Sequence, residues 1–223
     1  MNKSCLLLSC GPSLDKVTSN EVERQAAGQT VYAVKLAYYK VPHLVDTLFI
    51  NCCNNPQSGY KWVRNRPIIV ASSNFQKWVR LRSYEVDHFF RIPNTSRDPH
   101  EIVADTRDFD KYLLSKTNDR PVGPGIMLET VLYWVVDQGF THLTTLGFDL
   151  SADKVSRQNY QHCENWDRTQ FSVPGFILPT DAQKVVNASE DIYKWLKSHG
   201  VNWTVWDPQG DCALWKGIPR ANV

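Results

Sequence analysis

Residues 4–15 read Ser4-Cys5-Leu6-Leu7-Leu8-Ser9-Cys10-Gly11-Pro12-Ser13-Leu14-Asp15, and they set the terms for the rest of the chain. Cys5 to Ser9 is a short continuous apolar run, the signature of a strand covered on both faces. Gly11-Pro12 breaks it, a polar helical stretch follows to Ala27, and Gly28 is the stop residue. The unit is therefore strand, glycine turn, helix. Leu6 to Cys10 also looks like a lipoprotein cleavage box, but nine residues ahead of the cysteine are too few for an apolar signal region, so a strand is expected.

Working outward, Thr30–Leu36 and Thr47–Asn51 read as further strands, rich in Val, Phe and Ile. Pro67–Ala71, Val86–Ile92, His142–Leu146 and Val201–Trp206 follow the same pattern. Helices are predicted over Asn74–Leu81, His100–Ala104, Asp108–Leu114, Ile126–Gln138 and Asp181–His199. The helix over Ile126–Gln138 is apolar on nearly every face and must be buried; that over Asp181–His199 turns Val185, Ile192, Trp195 and Leu196 inward. Strands that alternate with helices and are apolar throughout imply one doubly wound, mostly parallel α/β sheet of Rossmann-like type. With no repeat or linker, residues 1–223 read as a single α/β domain, and the aperiodic stretch at about 150–180 reads as a lid.

The chain has 223 residues, 42% hydrophobic and 22% charged, which excludes a disordered, fibrous or small disulfide-stapled protein. Eight tryptophans call for a packed core with aromatic-lined clefts. No apolar run approaches the roughly twenty residues that span a bilayer. The six cysteines form no CxxC pair and no zinc-finger ladder with histidine, so no structural metal is expected, and thiols within strand-like runs suit a reducing, cytoplasmic setting. A net charge of +2 does not by itself identify a nucleic-acid binder. Locally, Lys61, Arg64, Arg66, Lys77, Arg80, Arg82, Arg91 and Arg97 outnumber Glu85 and Asp87 and interleave Trp62, Phe75, Trp78 and Tyr84. That stretch reads either as an ordinary solvated face or as a surface for an anionic partner.

Ligands of open parallel sheets bind at the carboxyl ends of the strands, which places Cys10, Gly11, Pro12, Ser13, Lys35, Asn51, Gly123, Pro124, Gly125 and Asp149 along one edge. The turns at Gly11–Ser13 and Gly123–Gly125 each offer main-chain amides to an anion, and two such nests imply a phosphorylated ligand. A tight strand-to-helix turn explains the first equally well, because the stretch lacks a full dinucleotide fingerprint or a P-loop lysine. Asp108 and Asp110 have a metal-binding spacing, but aspartates that open a helix are favoured by its dipole alone, and no metal is assigned to them.

Leu8-Ser9-Cys10-Gly11-Pro12-Ser13-Leu14, Gly123-Pro124-Gly125 opening an apolar helix, and Leu146-Gly147-Phe148-Asp149 together resemble the bacterial sialyltransferases of glycosyltransferase family 42. Arg107-Asp108-Phe109-Asp110-Lys111-Tyr112 and Arg120 are similar to that family too. The resemblance implies a single-domain α/β fold with a lid, a nucleotide-sugar as co-substrate, and no metal or other cofactor. It makes Gly11, Pro12 and Ser13 the donor phosphate turn, Asn51 a donor-binding amide, Gly123 to Gly125 the nucleotide-facing turn, and Asp149 part of the donor edge. Departures from the pattern fall at Cys10 and Lys35, where the family has asparagines, and at Gly123-Pro124-Gly125, where it has Thr-Ser-Gly. They imply a sugar other than sialic acid. The family's general-base histidine ahead of the last long helix is absent here, where the chain has Thr180-Asp181; the base is then Asp181, unless Asp181 caps the helix, or else His162 of the lid.

The function expected is transfer of a sugar from a nucleotide donor to a hydroxyl acceptor. The acceptor is either a glycan or, through Arg80, Arg82 and their neighbours, a hydroxymethylated base in DNA of the kind phage enzymes modify. The Gly-Pro-Ser signature is also similar to that of pterin pyrophosphokinases, which would need Mg²⁺ beside Asp149 and Asp153. A nucleotide-binding module without catalysis is the third reading.

Overall fold

The computed structural model describes residues 2–50, 60–73, 86–91, 127–148 and 179–221. Its centre is one eight-stranded sheet: β1 (Ser4–Leu8), β2 (Thr30–Val34), β3 (Thr47–Ile50), β4 (Ile68–Ser73), β5 (His88–Arg91), β6 (His142–Leu146), β7 (Asn202–Trp206) and β8 (Arg220–Ala221). The spatial order is β5-β4-β3-β2-β1-β6-β7-β8, and every pairing is parallel. The α/β class read from the apolar runs is therefore the observed one. The short β8 had no counterpart in the hydrophobic pattern.

Alternation along the strands divides the core into two layers. Cys5, Leu7, Tyr32, Val34, Phe49 and Val70 face one side, where they pack against Met127, Val131, Trp134, Ile192 and Trp195. Leu6, Leu8, Val31, Ala33, Leu48, Ile50 and Ile69 face the other, against Leu14, Val22, Tyr38 and Val41. Burying a leucine fully is worth roughly 1.5–3 kcal/mol, and Leu6, Leu7 and Leu8 are each wholly buried. This is why the run at residues 5–8 reads as continuous instead of alternating.

Helical elements flank the sheet. The polar stretch after β1 is not one helix: a 3-10 turn at Pro12–Lys16 gives way to extended backbone at Val17, and α1 then runs over Ser19–Ala26. The break has a local cause. Thr18 Oγ1 accepts the Glu21 N–H at 3.2 Å while Glu21 Oε2 accepts the Thr18 N–H at 2.6 Å, a reciprocal cap that starts the helix there. The same main-chain donor holds the Glu21 carboxyl below its ordinary range.

The buried helix begins as a π turn, Met127–Val131, and continues as α2, Leu132–Asp137. Trp134 Nε1 donates to Tyr32 Oη at 3.2 Å, and burial pushes that phenol well above the usual tyrosine range. The last long helix, α3 (Pro179–Ser198), buries Val185, Ile192, Trp195 and Leu196 as the periodicity predicts. It starts two residues ahead of Asp181, which is therefore its third helical residue and not its cap. Thr30–Leu36 also differs from expectation, because the chain leaves the sheet at Val34 and turns as a 3-10 helix over Lys35–Lys40. The helices expected over 74–81, 100–104 and 108–114 lie outside the described residues, as does the expected lid apart from its last residues, 179 and 180. No helix among the described residues is long and apolar enough to cross a membrane.

Candidate functional site

The strand order reverses direction between β1 and β6, so the crevice outside their carboxyl ends is where a parallel sheet leaves room for a ligand. The two tips are locked together. Ser9 N–H donates to Leu146 O at 2.8 Å, Gly11 N–H to Gly147 O at 2.8 Å, and Gly147 N–H to Ser13 Oγ at 3.0 Å. Gly147 has φ +77, and a Cβ there would stand 2.0 Å from Ser9 O. Only glycine lets the two turns come this close.

This geometry changes the part played by two residues of the expected phosphate turn. Ser13 is 2% exposed and its oxygen already accepts the Gly147 amide. The Gly11 amide is likewise committed to Gly147. Both act as braces between strand tips, and the sequence alone does not distinguish a brace from an anion ligand because both uses want small residues at a sharp turn. Pro12 opens the 3-10 turn. Cys10 is half-buried and its thiol donates to Val34 O at 3.2 Å, which ties the tip of β1 to that of β2.

Lys35 follows that carbonyl directly. Its φ of 51 places it in the left-handed region, the one non-glycine residue there among those described. An L-side chain in that conformation costs roughly 1–2 kcal/mol, and strain of this kind collects at functional sites. Farther along the same turn, Tyr38 lies edge-on to Tyr39, Tyr60 and Trp62. Those three stack in a row, Tyr39–Tyr60 at 5.9 Å and Tyr60–Trp62 at 5.7 Å between ring centroids. Burial holds the Lys40 ammonium below its ordinary range, opposed by the charges of Asp15 and Glu21.

Three features of this edge carry no motif. Ser9, 5% exposed, gives its hydroxyl to the thioether of Met127 at 3.5 Å, a weak acceptor. Thr130 Oγ1, in the π turn, and Trp206 Nε1, at the end of β7, are buried without a hydrogen-bond partner. A threonine in a mostly apolar helix was the only signal in the sequence for any of them.

Asn51, Gly123, Pro124, Gly125, Asp149, Asp153 and His162 lie outside the described residues, as do Arg80 and Arg82. Asp181 is placed by its backbone in the first turn of α3, which faces the strand tips because α3 ends where β7 begins, at the opposite edge. Of the basic stretch, Lys61 and Arg64 are exposed, whereas Arg66 pairs with Asp87 at 3.0 Å. No cluster of metal-ligating side chains occurs among the described residues.

No protein-family model matches the chain, and no curated protein matches it. Among solved structures it is similar to the sialyltransferase CstII from Campylobacter jejuni, determined in complex with the substrate analogue CMP-3FNeuAc. The two share 12% identity with a TM-score of 0.48, over 100% of this chain and 90% of that one.

Proposed function

We propose that the protein is a nucleotide-sugar-dependent glycosyltransferase whose donor lies across the tips of β1, β2 and β6. The observation that carries this reading is the meeting of two segments at the reversal of strand order. Gly11-Pro12-Ser13 and Leu146-Gly147-Phe148, the segments whose sequence resembles a transferase family, are joined there by the hydrogen bonds of Gly147 with Ser13 and Gly11, far apart in the chain. Lys35, held in a strained backbone on the adjacent tip, supplies a cation for the departing nucleotide phosphate. In the reaction the acceptor oxygen attacks the anomeric carbon, the bond from that carbon to the phosphate oxygen breaks, and Asp181 or His162 takes the acceptor proton.

The acceptor we propose is a hydroxymethylated base in DNA. Exposed Lys61 and Arg64 neighbour the partly exposed Trp62 in sequence, and cations beside such a ring suit a nucleic acid. Arg66, engaged by Asp87, contributes less than its sequence position suggests.

A donor-hydrolysis screen across UDP-, CMP-, GDP- and TDP-sugars, with and without EDTA, tests the reaction. Turnover of one donor that persists in EDTA is expected. No binding or turnover of any of them overturns the transferase reading, and activity abolished by the chelator favours Mg²⁺-dependent pyrophosphoryl transfer. For the acceptor, affinity for hydroxymethylated duplex DNA should fall steeply with salt and after Lys61→Glu with Arg64→Glu. A flat salt response points to a glycan.

A further inference from the structure

The first turn of the buried helix departs from ordinary helix geometry at the place where two hydroxyls lack good partners. Met127–Val131 is a π turn, a form that occurs mostly as an isolated irregularity and often near functional sites. In an α-helix a threonine hydroxyl ordinarily returns to the carbonyl three or four residues back. Here Thr130 Oγ1 makes no such bond although the residue is 0% exposed. Leaving a buried hydroxyl unpaired costs roughly 1–3 kcal/mol.

The position of this orphan is fixed by its neighbours. Met127 accepts from Ser9, the residue just past β1, so the π turn starts over the β1 tip. Trp134, two turns on, reaches Tyr32 of β2 and Phe49 of β3. Thr130 lies between them on the buried side of the helix, at the strand-tip end. Its buried helix neighbours Met127, Val131 and Trp134 are all apolar. A phosphate or carboxylate would find no counter-charge among them, whereas an uncharged hydroxyl would find a donor and an acceptor in Ser9 and Thr130.

We propose that Ser9 and Thr130 form a subsite for a sugar hydroxyl of the bound ligand, from either the ribose or the transferred sugar. The inference rests on the reading that this edge binds a nucleotide-sugar. Ligand binding completes the hydrogen bonding that the protein's own groups leave undone.

Thr130→Val keeps the shape and removes the hydroxyl. Calorimetry with CMP, UDP and GDP, their 2′-deoxy counterparts, and CMP-, UDP-, GDP- and TDP-sugars reads the binding, and thermal unfolding reads the stability. The variant should gain about 2–4 °C in Tm, since the hydroxyl it loses has no partner in the free protein. It should also lose about tenfold in affinity, with Thr130→Ser restoring most of it. If the ribose is the partner, wild type prefers ribo- over deoxynucleotides and Thr130→Val erases the preference. If the transferred sugar is the partner, the variant instead erases the advantage of the nucleotide-sugar over the nucleotide. Wild-type affinity in Thr130→Val and Ser9→Ala overturns the subsite alone, as does a lower Tm in Thr130→Val, which would reveal a structural partner. Absence of binding by wild type to every probe overturns the nucleotide-sugar reading and the subsite with it.

Discussion

The two ends of the sheet are built to different standards. At the amino ends of the strands, polar groups meet matched partners. Asp46 Oδ2 accepts the Val31 N–H at 2.8 Å, Asp87 Oδ2 accepts the Ile69 N–H at 2.7 Å, and Lys3 Nζ donates to Gln138 O at 2.8 Å. At the carboxyl ends stand a lysine in left-handed backbone, a serine bonded to a thioether, and both buried orphan atoms among the described residues, Thr130 Oγ1 and Trp206 Nε1. Local conflicts that persist in a folded protein collect where function requires them. On the proposed reading the amino end is scaffold and the carboxyl end the working edge, with the Ser13–Gly147 brace an extension of the scaffold into it.

The largest effect should come from breaking that extension. In Gly147→Ala a methyl group would stand 2.0 Å from Ser9 O in a backbone region hostile to alanine. Both turns must part, and a loss of at least about 3 kcal/mol is expected, seen as a protein that fails to fold or unfolds far below wild type. A near-native melting curve would show that the two tips are separable and the brace is illusory. Ser13→Ala is gentler. It strands the Gly147 N–H in a buried position and should cost about 1–3 kcal/mol by denaturant titration. If it instead leaves stability intact and removes nucleotide binding, Ser13 belongs to the working edge after all.

Lys35 tests the other side of the contrast. Lys35→Gly relieves about 1–2 kcal/mol of backbone strain, offset by roughly 0.5–1 kcal/mol of added chain entropy in the unfolded state. Stability should hold or rise slightly. Loss of the ammonium should weaken nucleotide binding about tenfold or more, as expected for a charge-assisted hydrogen bond to phosphate. A variant that melts earlier yet binds fully would place Lys35 with the scaffold.

How far the sequence reveals this division follows from what each end is made of. The sheet is legible because burial on both faces leaves a chemical trace, as at Leu6, Leu7 and Leu8, all wholly buried. The β6 boundaries, His142–Leu146, fall where the pattern puts them, between a glycine stop and a glycine turn. Beyond Val34 the pattern misleads: Leu36 and Ala37 are as apolar as a strand requires, but they are buried from a 3-10 turn, and hydrophobicity does not record which backbone carries it. At the site, Gly11 and Ser13 are visible as turn residues, while their commitment to Gly147 depends on a parallel register between segments far apart in the chain. Thr130 shows the limit most clearly. Its oddity is the absence of a partner, which only the assembled packing reveals.

The smallest effect probes the amino end, where the contrast predicts that charge serves stability. The Asp87 carboxyl is held below its ordinary value of 3.8 chiefly by the Ile69 N–H, against the opposing effect of burial, with Arg66 adding smaller contributions in the same direction. A carboxylate whose folded-state pKa is depressed contributes stability above its unfolded value and loses that contribution as pH falls through the folded one. Asp87→Asn should therefore melt slightly earlier than wild type at pH 7, and the two should converge as pH drops through and below 3.8. Salt separates the causes. Both side chains of the Arg66 pair are partly exposed, and such a pair is worth little and is screened, whereas the main-chain hydrogen bond is not. The difference between Asp87→Asn and wild type should thus survive about 0.5 M salt, several times physiological ionic strength. If it disappears there at pH 7, the Arg66 pair is the principal anchor, and the amino end of the sheet relies on surface charge instead of on the pairing of strand amides.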